Sequence, residues 1–219
     1  MDLWELLDVR PGVTALAGGG GKTTMMYTLA RGLMASGTVI CTTTTRIFPP
    51  AHLPALDRVD RGVMARLRCV CVGTPAPEGK LAAPAQPIAE LAALADCVLA
   101  EADGSRGLPV KAHQPHEPVI PAGTGQTVVL LGASAFGRPA RETVHRLETF
   151  CQLTGMSPYA AITPEAAAAL LRSEGLGDKI FVNQAETRSA LDAARKLAAL
   201  LDCPVFAGSL QRGEWECLS

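Results

Sequence analysis

Residues 17–24 read AGGGGKTT. Four consecutive glycines, Gly18, Gly19, Gly20 and Gly21, run directly into Lys22 and two hydroxyls, Thr23 and Thr24. Glycine adopts φ > 0 without a Cβ penalty, so such a run can turn backbone N–H groups inward as a nest for phosphate oxygens, with the positive end of a following helix behind them. A lysine at the next position then reaches the β- and γ-phosphates, and the Thr23 or Thr24 hydroxyl holds Mg²⁺. The usual G-x-x-x-x-G-K-[ST] spacing would put its first glycine where this chain has Leu16, so the match is to the shortened form G-x-x-G-K-T-T.

A second set of chemically able residues follows an apolar stretch, Cys97, Val98, Leu99 and Ala100, that empties into Glu101 and Asp103. An apolar strand ending in acids is how an NTPase places a carboxylate near Mg²⁺ and the attacking group. Two acids separated by one residue point to the same side if the strand continues. Thr23 with Glu101 or Asp103 is expected to organise Mg²⁺, the other acid to orient water or an acceptor, and Lys22, Glu101 and Asp103 to be the catalytic set. Thr42, Thr43, Thr44, Thr45 and Arg46 stand at the end of another predicted strand, where ligand-facing residues of α/β sheets collect, and they are expected to face phosphate or Mg²⁺. Arg106, Lys111 and His113 in a proline-rich loop near 104–121, together with His145 and Arg146 on a predicted helix, complete an expected acceptor or partner site with Thr44 and Arg46. The string from His113 through His116 to Glu117 invites a zinc reading, but Pro115 prevents the helical spacing that would align it.

Alternating strand and helix patterns supply the frame. Residues 13–16 read as the first strand, and a helix follows to about Ser36, with Gly37 as its stop. Strands are expected at 38–41, 68–73, 97–100, 127–131, 179–182 and 204–207, and the tail through Trp215 as an edge strand. Helices are expected at 3–8, 86–95 and 189–201, with a short one within 51–68. Thr163-Pro164-Glu165 reads as a helix start, with Thr as N-cap, Pro in the first turn and an acid near the positive end of the dipole. Four prolines, Pro75, Pro77, Pro84 and Pro87, make residues 74–87 a loop or small hairpin excursion. The expected fold is a mostly parallel α/β sheet with helices on both faces, P-loop NTPase-like, as a single domain over 1–219.

Composition narrows the function classes. A net charge of -1 and a pI near 6.4 argue against nucleic acid or an anionic membrane as a general partner. The N-terminal stretch lacks the basic start and apolar core of a signal peptide, and no apolar run reaches the ~18 residues of a span. Seven cysteines, an odd number without a C-x-x-C pair, read as buried thiols in a reducing compartment, and Cys69 and Cys71 as alternate residues on a buried strand. A cytoplasmic location is expected.

Together, GGGGKTT, TTTTRIFPP, EADGSRGLPVKAH with HEPVIP, VHRLE and FVNQAE resemble the YqeC-like family, accessory proteins for selenium-dependent molybdenum hydroxylases. The resemblance spans nearly the whole chain. It implies a P-loop NTPase fold and a role in cofactor maturation, with molybdenum-cofactor enzymes or their maturation factors as partners. Asn183-Gln184-Ala185-Glu186 also resembles the N-K-x-D element with which GTPases read guanine, with Gln for Lys and Glu for Asp. Asn183 is thereby expected to contact a base edge, backed by Gly208-Ser209-Leu210. The expected function is Mg²⁺-dependent binding and hydrolysis of ATP or GTP in such maturation. The alternatives are a nucleotide-gated partner-binding protein with little turnover, or an ATP-dependent kinase or ligase.

Overall fold

The computed structural model describes residues 1–50 and 52–219. Its α/β fold contains a large, mostly parallel sheet flanked by helices, consistent with a P-loop NTPase-like architecture. The chain divides into two compact units, the first made of Met1–Leu16, Thr23–Gly104 and Pro118–Gln126, the second of Ala17–Lys22, Ser105–Glu117 and Thr127–Ser219.

The first unit carries the strand Gly12–Gly18 as far as Leu16, followed in order by Cys97–Glu101, Val39–Thr43, Cys69–Val72 and Ala55–Leu56, each parallel to its neighbour. Their runs of Val, Ile, Leu and Cys are buried almost without interruption, as strands covered on both faces must be. Ile40, Val70, Val72, Val98, Met64 and Leu91 form the core of this unit. The register sets Glu101 beside Leu16 on one neighbour and Thr43 on the other, all at the C-terminal ends of their strands. Residues 74–87 include a small antiparallel hairpin, Thr74–Ala76 with Lys80–Ala82, which Arg46–Ile47 joins to make a three-stranded sheet. The helix expected within 51–68 is Arg61–Leu67, capped by the Asp60 carboxylate accepting from the Val63 N–H; Ala51, where that expectation begins, lies outside the described residues.

The second unit carries Thr127 onward of the strand Thr124–Gly132, then Lys179–Asn183 and Val205–Ser209 in parallel, and Glu214–Cys217 antiparallel at the edge. Phe150, Ile162, Leu170, Ile180, Val182 and Val205 belong to its core. The helix Pro164–Glu174 starts as its sequence dictates: Thr163 accepts from the Ala166 N–H, Pro164 occupies the first turn, and Gly175 closes it in the left-handed conformation.

One expectation fails here. His145 and Arg146 are not helical: Val144–His145 is a strand paired in parallel with Val110–Lys111, and Arg146 takes φ +66° just before the helix Leu147–Thr154. Val144 is β-branched and fully enclosed, and the partner strand emerges from the loop after Gly104, so a non-local pairing overrides the local helical pattern. Among the described residues no helix is long and apolar enough to cross a membrane.

Candidate functional site

The glycine run is packed as tightly as its composition allows. A Cβ on Gly18 would collide with the Leu130 carbonyl, one on Gly19 would lie 2.7 Å from the Leu108 carbonyl, and one on Gly20 2.5 Å from the Gly132 nitrogen. A Cβ on Gly21 would lie 2.5 Å from the Asn183 Nδ2, and Gly18, Gly20 and Gly21 also have positive φ. The glycines thus admit neighbouring backbone as well as the turn itself. The Gly19 N–H donates to Leu130 O at 2.9 Å and the Gly20 N–H to Leu108 O at 3.1 Å. Two of the expected nest amides are therefore committed to the protein. The helix Lys22–Leu33 begins directly after Gly21, and its first-turn N–H groups have no carbonyl partner within the helix. Lys22 is buried, and its ammonium donates back across the loop to Gly18 O at 2.6 Å.

Thr23, next in the chain, donates its hydroxyl to Glu101 Oε2 at 2.7 Å, joining the helix's first turn to the end of the strand Cys97–Glu101. Both Glu101 and Asp103 are buried. Asp103 lies past the end of the strand, so the alternation expected for a continuing strand does not govern it. Thr24 is exposed on the helix.

The threonine run behaves otherwise. Thr42 donates to Val72 O, Thr43 to Glu101 O and Thr44 to Val119 O, so these hydroxyl protons stitch strand ends together. Val119 in turn donates its N–H to Ala102 O, and Thr44 its N–H to Glu101 O, so the chain on either side of Glu101 is held by three backbone-directed bonds. Arg46 is exposed on the small sheet, paired with Ala82.

The loop 105–117 gathers a basic cluster. The fully enclosed Lys111 ammonium donates to Glu117 Oε1 at 3.1 Å, and Arg146 clamps the same carboxylate with Nε at 3.2 Å and Nη2 at 3.1 Å. Burial alone would raise the Glu117 carboxyl, but the Arg146 and Lys111 hydrogen bonds outweigh it and hold the pKa down at about 2. His145 is pushed below its ordinary value, first by burial and then by Lys111, Arg146 and Arg106, against the pull of Glu117. His113 belongs elsewhere: its N–H and ring Nδ1 both meet Glu174, at 2.6 and 2.8 Å. Glu117 is a member of this cluster that the expected acceptor or partner site does not include. A lone acid among Lys111, Arg106 and Arg146 was the available signal.

Asn183 is buried at the end of the strand Lys179–Asn183, with Nδ2 donating to Gly20 O at 2.7 Å and Oδ1 accepting from the Leu210 N–H at 3.0 Å. It braces the glycine loop against Leu210 and does not present its amide outward, contrary to the expected base-edge contact. The next residues turn away through Gln184, at φ +63°, whose Oε1 accepts from the Ser134 hydroxyl at 2.5 Å. Gln184 and Glu186 line a cleft of about 790 Å³ with Ser134, Thr163, Thr187 and Lys196. Cys69 and Cys71 lie on the buried strand Cys69–Val72; Cys69 shares a hydrogen bond with Cys41, which raises the Cys41 thiol, and burial pushes Cys71 up to about 12.

A profile for the YqeC protein family matches residues 14–148, from the strand before the glycine loop to just past Arg146. The chain is also 35% identical over 175 residues to an uncharacterized protein, YqeC, of Escherichia coli (strain K12), a match covering 74% of this chain and 68% of that protein. With the profile spanning the glycine loop, Glu101, Asp103 and the basic cluster, the chain belongs to the YqeC family.

Proposed function

We propose that the chain binds a nucleoside triphosphate, ATP or GTP, with Mg²⁺ at the glycine loop and hydrolyses it in the service of cofactor maturation for a selenium-dependent molybdenum hydroxylase. The observation that carries the nucleotide reading is Thr23 on the Glu101 carboxylate, placed directly after a lysine that folds back over a glycine loop no Cβ would fit. The donor set suits the ligand: hydroxyl and carboxylate oxygens are what a hard divalent cation takes, and an ammonium beside first-turn amides is what a polyphosphate takes. Thr23 with Glu101 or Asp103 would hold Mg²⁺, which when bound neutralises charge developing on the transferred phosphoryl group.

The chain's own groups do the rest. Lys22 exchanges the Gly18 carbonyl for a phosphate oxygen, which releases the loop from its internal hydrogen bond. The acid not engaged with the cation orients water, whose oxygen bonds to the γ-phosphorus as the bond to the β-phosphate oxygen breaks; the electron pair stays on the departing diphosphate and the water's proton passes to the carboxylate or to the phosphate formed. Because Asn183 is committed to the loop, base contacts in this reading pass to Gln184 and Glu186. The maturation role, with molybdenum-cofactor enzymes or their maturation factors as partners, rests on family membership. Phosphate release from Mg-ATP and Mg-GTP tests the enzymatic part: Lys22→Ala is expected to abolish it, and unchanged turnover in that variant overturns the assignment.

A further inference from the structure

Around His145 the second unit assembles donors that the reading above does not use. Of the two ring nitrogens, Nδ1 is enclosed and has no hydrogen-bond partner among the described residues, so nothing pins the tautomer there. The ring is half-buried, and Nε2 is the nitrogen left for a ligand. Arg106 is exposed and stands four residues before Val110, whose strand Val110–Lys111 pairs with Val144–His145, and its charge bears on the His145 ring. Arg146 uses two of its five N–H donors on Glu117, which fixes the guanidinium plane and leaves the others to point elsewhere.

The backbone repeats the point. Arg106 at φ +52° and Arg146 at φ +66° are both non-glycine residues in the left-handed region, a conformation that persists only where surroundings enforce it and that gathers at ligand clamps. Glu117, held ionised by Lys111 and Arg146, is the acid that orients the cluster, and its two oxygens are occupied by those partners.

We propose that His145, Arg106 and Arg146 form a binding site for a phosphate-type oxyanion, with Glu117 and Lys111 as its positioning residues. Several cationic donors around one imidazole call for a ligand with several acceptor oxygens and more than one negative charge, which a phosphoryl group supplies. The group is either the terminal phosphate of a bound nucleotide or a phosphate on a second molecule. None of the residues invoked belongs to residues 18–24, so the two sites share no side chain although residues 18–22 also lie in the second unit.

The test is titration of the intact protein with inorganic phosphate, following the ¹⁵N ring resonances of His145, against chloride at matched ionic strength. The site predicts saturable shifts with phosphate alone, a His145 pKa that rises when phosphate is bound, and affinity lower by about tenfold or more in Arg106→Asn, a change that removes the charge at an exposed position and tolerates positive φ. The same titration in Lys22→Ala should be unchanged, so failure of the nucleotide reading leaves this one standing. A non-hydrolysable Mg-ATP analogue identifies the source: competition with phosphate means a nucleotide phosphate fills the site, and simultaneous binding means a second phosphorylated molecule does. His145 resonances unmoved by phosphate, moved equally by chloride, or moved identically in Arg106→Asn overturn the proposal.

Discussion

Two runs of a single residue type follow strands in this chain, glycines 18–21 and threonines 42–45, and both look from sequence as though they face a ligand. Their fates differ. The glycine run makes room: backbone from Leu108, Leu130 and Gly132 closes on it, and the helix Lys22–Leu33 begins at its end. The threonine run closes room, since the hydroxyls of Thr42, Thr43 and Thr44 donate to carbonyls of Val72, Glu101 and Val119. Location at the C-terminal end of a parallel strand is therefore a permit for function, and whether a side chain takes it up depends on whether nearby backbone has already claimed its donors.

Substitution can break that contrast at either run. The largest expected effect is Gly18→Ala. The new Cβ meets the Leu130 carbonyl at a residue held at φ +92°, so overpacking and backbone strain add, and the variant should lose about 3 kcal/mol or more in urea denaturation. A loss under about 1 kcal/mol would mean that the loop is loose and the close approach incidental.

An intermediate effect belongs to Glu117, where side chains answer side chains. Its folded pKa of about 2 lies below the ordinary 4.5, so the ion pairs contribute fully above pH 4.5 and are lost as pH falls toward 2. Discounted for partial exposure, roughly 2 kcal/mol should disappear across that window, measured by denaturation at stepped pH, and Glu117→Gln should lack that component. Parallel acid profiles for the two proteins would contradict the clamp.

The smallest effect is Thr42→Val. It removes one donor from a buried carbonyl and should cost about 1 kcal/mol in denaturant unfolding while nucleotide affinity stays put. A large loss of nucleotide affinity would return the threonines to the ligand.

Much of the frame was legible because it is written locally. Apolar β-branched runs gave the strands, Thr163 and Pro164 gave a helix start, and the strand through Trp215 was signalled by the tail's pattern. The site was legible where chemistry is contiguous, as in the glycine loop with Lys22 and Thr23. It was not legible where function depends on distant pairing. Nothing in residues 140–150 announces that Val144–His145 will pair with Val110–Lys111, nor that Asn183 will reach Gly20 across 163 positions. Hydroxyl use in the threonine run was hidden for the same reason, because the accepting carbonyls of Val72 and Val119 belong to other segments.

The central claim is that a magnesium nucleotide binds where Lys22 and Thr23 leave the glycine loop. Thermal unfolding with ATP, GTP, ADP and GDP, with and without Mg²⁺, in the wild type and Lys22→Ala, tests it most directly. At a nucleotide concentration of ~100 Kd the account predicts a wild-type rise of about 5–10 °C that requires Mg²⁺ and vanishes in Lys22→Ala. No rise with any nucleotide, or an equal rise in the variant, would contradict it.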